Sequence, residues 1–159
     1  MDWKQIRQQF FENLNKLSKA DIAYFRQHIS RKMNMDGYKK LVKVLPKELY
    51  TQKDTAYYIA CVHCTQNERR GNQVTFQDYL SSVYNNKNTS QSMKRQIEKL
   101  LSTNKNTCYF FYHINQFVQM ANKESKLISL PELMEDIQFW EDRKNKYAQT
   151  IAEGVISAT

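Results

Sequence analysis

Cys61-x-His63-Cys64 places two thiols at the spacing of a zinc-ligand pair, and Cys108 with His113 could complete a Cys₃His set. The surrounding residues argue against it. Cys61 and Cys64 lie inside the run TAYYIACVHC, which reads as helix. There, side chains at i and i+3 share a face, but the turn of a zinc knuckle is missing. Cys108 opens the aromatic stretch CYFFYH, where a cysteine serves as a small core residue. A redox CxxC would need a βαβ setting, and none is written around it. Three reduced thiols are the simpler reading, with no metal and no other cofactor expected.

Carboxylates are the next chemistry to weigh. Glu132, Glu135, Asp136, Glu141 and Asp142 cluster, and spacings of three or four can face two of them together. Acid–base catalysis also needs a concave apolar site and a partner that shifts a pKa. The sequence marks neither, so the cluster reads as a solvated or protein-contact face. No P-loop, GxSxG, HExxH or GxGxxG string occurs. A metal-dependent hydrolase built from the Cys, His and acidic residues therefore has no motif to stand on, and the chain is expected not to be an enzyme.

The cations say more. Lys39, Lys40 and Lys43 follow Arg31 and Lys32, while Lys94, Arg95 and Lys99 precede Lys105. Residues 1–53 hold 12 Lys/Arg against 5 Asp/Glu, a net +7; residues 87–126 hold 7 against 2, a net +5. Residues 54–86 stand at −1 and residues 127–159 at −3, so the formal +8 of the chain is concentrated in two blocks. Such blocks suit successive phosphates, whose neutralisation releases counterions and gives sequence-independent, salt-sensitive binding.

The elements that must position these residues are helical. Apolar residues recur at spacings of three and four, and strict alternation is rare. Trp3, Ile6, Phe10, Leu14 and Leu17 stripe a first helix. Ser18 and Asp21 make a capping pattern before Ile22, Phe25, Ile29 and Met33, with Asn34–Gly37 as the stop. Tyr38, Leu41, Val42 and Leu45 form a short helix ended by Pro46. Asp54 or Thr55 caps the next, and Thr75 with Asp78 caps another. Further stripes run through Met93–Leu101, Phe110–Val118, Leu133–Trp140 (after Pro131) and Tyr147–Val155. With only 3 Gly and 2 Pro in 159 residues, a doubly wound α/β fold or a β-sandwich lacks its turns. The expectation is an all-α, compact bundle of about nine short helices in two contacting lobes. Residues 1–88 and 89–159 are the two lobes, with 66–74 and 85–90 as candidate boundaries. The N-terminal MDWKQIRQQFFENL has no unbroken apolar stretch, so a soluble, cytoplasmic protein is expected, without a membrane partner.

Five segments follow one another in a telling order. GYKKLVKVLP carries Tyr38, Lys40, Leu41, Val42 and Pro46; TAYYIACVHC comes next, then Thr75–Leu80. Lys94-Arg95 then leads to Leu100-Leu101, and PELMEDIQFWEDRKNKYAQTIAEGV closes the series with Trp140. In this order the chain resembles the small subunit of the type I-E CRISPR Cascade effector, the CasB family. The resemblance implies a non-enzymatic, two-lobed helical protein, two copies of which lie head to tail beside the backbone and large subunits. It implies guide RNA and target DNA as partners, with the displaced strand of the R-loop held during antiviral defence. Carried over by position, the nucleic-acid-binding residues are Lys40, Lys94, Arg95 and Arg143, with Arg26, Lys53 and Lys105 near family arginines. The family's arginine near Asp78 is missing here, and its arginine pair in the following helix is replaced by His113–Gln116. The alternative is a stand-alone helical DNA-binding adaptor or regulator.

Overall fold

Helix starts in this chain are fixed by short polar side chains that satisfy otherwise orphaned backbone N–H groups. In the computed structural model, which describes residues 2–67, 69–107 and 109–158 (155–158 by backbone alone), five such caps are visible. Asp2 accepts from Gln5 N ahead of α1 (Trp3–Leu14), and Ser18 accepts from Asp21 N ahead of α2 (Lys19–Gln27). Asn34 accepts from Gly37 N at 2.9 Å and opens α3 (Met35–Val42). The Asn34–Gly37 stretch thus begins a helix, whereas the sequence pattern made it a stop; α2 has already ended at Gln27. Gly37 lies inside α3 because a Cβ there would stand 2.9 Å from the Tyr57 ring edge.

Pro46 leads into a 3₁₀ turn, Lys47–Gln52, which runs directly into α4 (Lys53–Gln66) without a side-chain cap. Neither Asp54 nor Thr55 caps it: both lie within the first turn, and Thr55 is buried. α4 is the centre of its unit, with every residue from Thr55 to Val62 buried. Phe10, Leu14, Phe25, Leu41 and Leu49 are buried in the same unit, each contributing about 1.5–3 kcal/mol of apolar burial.

The second unit begins with a short strand, β1 (Asn72–Val74), followed by α5 (Phe76–Asn85) behind a Thr75 cap and α6 (Gln91–Ser102) behind a Ser90 cap. α7 (Phe110–Lys123), β2 (Lys126–Ile128), α8 (Leu130–Gln138) and α9 (Trp140–Ala158) complete it. β1 and β2 pair in parallel, Asn72 opposite Lys126 and Val74 opposite Ile128. These strands escape the helical pattern because three residues are too few to show an alternation. Phe110, Trp140, Tyr147 and Phe76 form a chain of edge-on and tilted ring contacts in the core. Trp140 starts α9 after a one-residue break at Phe139, where the pattern had run one helix through to it.

Nine α-helices and one two-stranded sheet make up the described residues, an all-α fold in substance. The backbone divides into Met1–Arg70 and Gly71–Thr159, not at 88/89. α5 packs along α9 and β1 pairs with β2, which ties residues 72–85 to the second unit. Residues 85–90 are only the turn between α5 and α6. No described helix is long and apolar enough to cross a membrane.

Candidate nucleic-acid interface

α6 buries Ile97 and Leu100, and the helical period distributes its cations from there. Lys94 falls on the flank toward α5, with its Nζ 5.7 Å from the centre of the Tyr84 ring. The Tyr84 hydroxyl donates to Glu98 Oε1 at 2.6 Å, so Lys94 shares its surroundings with a carboxylate. Arg95 and Lys99 fall on the outer face, one turn apart and exposed, with no ion-pair partner among the described residues. The helical spacing that puts Arg95 and Lys99 on one face thus leaves Lys94 on another.

Gln96 and Lys99 lie on the side of α6 toward α7. Gln116 Nε2 donates to Gln96 Oε1 at 2.8 Å, which ties the two helices side by side. One turn along, Lys99 is close enough to His113 to help burial hold the imidazole below its ordinary pKa. The stretch His113–Gln116 thus brings an amide bridge and an imidazole of lowered pKa to this side of α7. Lys105 sits half-buried in the turn between α6 and α7.

The remaining site residues are placed differently. Arg143 directs Nη2 to Glu135 Oε1 at 3.2 Å and Nε to Asp136 Oδ1 at 3.7 Å, so its charge is met within the unit. In the first unit, the Arg26 Nε donates to Cys64 O at 3.3 Å, capping one of the late carbonyls of α4. Lys40 Nζ stands 4.6 Å over the Tyr24 ring, which itself stacks on His28 at 4.0 Å. Lys53 Nζ lies 5.8 Å from the Tyr38 ring. A ring face attracts an ammonium without neutralising it, so Lys40 and Lys53 keep their charge for a polyanion.

The thiols are core groups, whereas Glu132, Glu141 and Asp142 of the acidic cluster are exposed. Cys61 and Cys64 are buried and free, and burial pushes each thiol up to about 12. Zinc takes thiolate, which these sites disfavour. Among the described residues no group of three or more Cys, His, Asp and Glu side chains is placed to hold a metal. Cys108 lies outside the described residues. Of the acidic cluster, two members are shifted: burial raises the Asp136 pKa, while the Tyr147 hydroxyl and Arg143 pull it back, and a hydrogen bond with Lys144 lowers that of Glu141.

Two further residues belong to the α6–α7 flank and are not among those the sequence singled out. Tyr109 and Tyr112, in the aromatic helix start CYFFYH, are 65% and 66% exposed. The inward face of α7 is set by Phe110, Ile114, Phe117 and Val118, and counting the helical period from them would have placed both tyrosines outside. No protein-family model, curated protein or solved structure matches this chain.

Proposed function

We propose that the chain is a non-catalytic, nucleic-acid-binding structural subunit of a CRISPR RNA-guided surveillance complex. In this reading it supports guide RNA and target DNA, stabilises the displaced strand of the R-loop, and works alongside backbone and large subunits and a second copy of itself. The observation that carries the nucleic-acid part is the Arg95–Lys99 face: two exposed cations one turn apart, without an internal carboxylate partner, in a block of net +5. The all-helical fold and the ordered motifs support the assignment to such a complex. Opening an R-loop is a nearly balanced exchange of base pairs, so a few backbone contacts to one strand suffice to bias it. Lys40 and Lys53 supply the cations of the first unit, whereas Arg143 serves its own helix pair.

The test is reconstitution with the backbone and large subunits of a type I-E effector complex and a guide RNA. The chain should co-purify with a tagged backbone subunit. A variant carrying Arg95→Ala and Lys99→Ala should load guide RNA normally but retain the displaced strand less well. With single-stranded DNA and the isolated chain, that variant should flatten the slope of log K against log salt by up to ~1.4. Salt-dependent DNA binding without co-assembly would favour the stand-alone adaptor. Failure of both would remove the proposal.

A further inference from the structure

Four large apolar side chains stand out as exposed among the described residues, and two of them, Tyr109 and Tyr112, lie together at the start of α7. The other two, Met35 and Tyr50, are in the first unit, on different elements. At a spacing of three residues, Tyr109 and Tyr112 are neighbours on one helical flank, with Cβ atoms about 5–6 Å apart. Their flank is the one that carries His113 and Gln116, and the Gln116–Gln96 bond sets it beside the side of α6 that carries Lys99, one turn from the outward-facing Arg95. Tyr112 meets His113 in a T-shaped contact, with ring centres 5.7 Å apart, and two thirds of the Tyr112 side chain still stands open to solvent.

We infer that Tyr109 and Tyr112 form a base-stacking platform for single-stranded nucleic acid, with Arg95 and Lys99 holding the phosphates beside it. This deepens the nucleic-acid reading and rests on it. Cations alone hold a duplex and a single strand by the same phosphates; exposed rings add a term that only unpaired bases can use. A paired base presents its faces to its neighbours in the stack, so the platform selects unpaired strands. Any base has a π-face, so the platform carries little sequence preference. The occupant is therefore an unpaired stretch of DNA or RNA, and the charge of the neighbouring flank is complementary to it.

The experiment compares an oligothymidylate of about 20 nucleotides with an abasic strand of the same length and charge, each bound to the full chain at fixed low salt. The wild-type protein should bind the base-bearing strand about 5-fold or more tightly than the abasic one. The double change Tyr109→Ala and Tyr112→Ala should remove that preference and leave abasic binding as it was. Tyr109→Phe with Tyr112→Phe should retain the preference, since the ring rather than the hydroxyl does the stacking. Arg95→Ala with Lys99→Ala should weaken both strands alike. Both tyrosines are exposed, so their replacement should leave the far-ultraviolet spectrum and melting unchanged; should the double variant not fold, Tyr112→Ala alone carries the test. Unchanged preference in a folded tyrosine variant overturns the platform while the phosphate reading stands. A wild-type chain that binds neither strand overturns both.

Discussion

The Tyr147 hydroxyl donates to Asp136 Oδ2 at 2.6 Å, joining α9 to α8 at a point where the ring is fully buried and the carboxylate nearly so. Burial raises the Asp136 pKa above its ordinary 3.8, and this bond together with Arg143 limits the rise. A carboxyl whose folded pKa is raised favours the fold most below the ordinary value, and that advantage is lost as pH climbs through the raised one. Tyr147→Phe should therefore cost about 1–3 kcal/mol at neutral pH, because it leaves a buried charge short of a donor. Asp136→Asn keeps an acceptor for Tyr147 and should cost less. Denaturant titrations at neutral and mildly acid pH measure both; equal losses for the two variants would contradict the assignment.

Lys94 and Arg95 are neighbours in sequence, but they should differ in nucleic-acid binding. Arg95→Ala should flatten the salt slope for a single strand by about 0.7, the full value for one phosphate. Lys94→Ala should flatten it less, because Lys94 lies over Tyr84 beside Glu98. Binding isotherms across a salt series decide it, and the reverse order would put the phosphate track on the α5 flank.

Cys61 and Cys64 should be nearly inert to alkylation in the folded protein. At mildly alkaline pH a thiol near 12 carries on the order of 10³-fold less thiolate than one at the ordinary 9.0. Since both folded values are raised, their contribution to stability is complete below pH 9.0 and fades as pH rises toward 12. Peptide mapping after iodoacetamide treatment, with and without denaturant, should show both sites modified only on unfolding.

His63 titrates in the opposite sense. Burial in α4 holds its imidazole below the ordinary 6.5, so the folded state disfavours the proton. The stabilising neutral form is complete above 6.5, and stability should fall as acidification drives the proton on. His63→Gln should flatten the acid limb of the melting-temperature profile. An unchanged limb would assign the acid sensitivity elsewhere.

Gly71 precedes β1 where a Cβ would lie 2.1 Å from the Ser125 carbonyl oxygen, itself the acceptor for Asn72 N at 3.1 Å. Gly71→Ala must push two backbones apart and should cost about 1–3 kcal/mol. Melting of the variant reads this directly, and a neutral result would mean the β1–β2 ladder yields at no cost.

Helical class, most of the apolar stripes and the caps at Ser18 and Thr75 follow from local chemistry, so they were legible in the sequence: a hydroxyl facing a free N–H, and apolar residues every three or four positions, act within one turn. The two basic blocks were legible for the same reason, since net charge needs no geometry. What a single cation does was not. Arg143 reads like Arg95 until α8 brings Glu135 and Asp136 to it, and the helical period that parts Lys94 from Arg95 does not say that Lys94 meets Tyr84 of α5. The polar 66–74 stretch marked the neighbourhood of the division after Arg70, but its choice over 85–90 depends on α9 returning to α5 and on β2 finding β1. These pairings join residues far apart in the chain. Their energies depend on which partners the packed core brings within a few ångströms, and no local pattern encodes that distance.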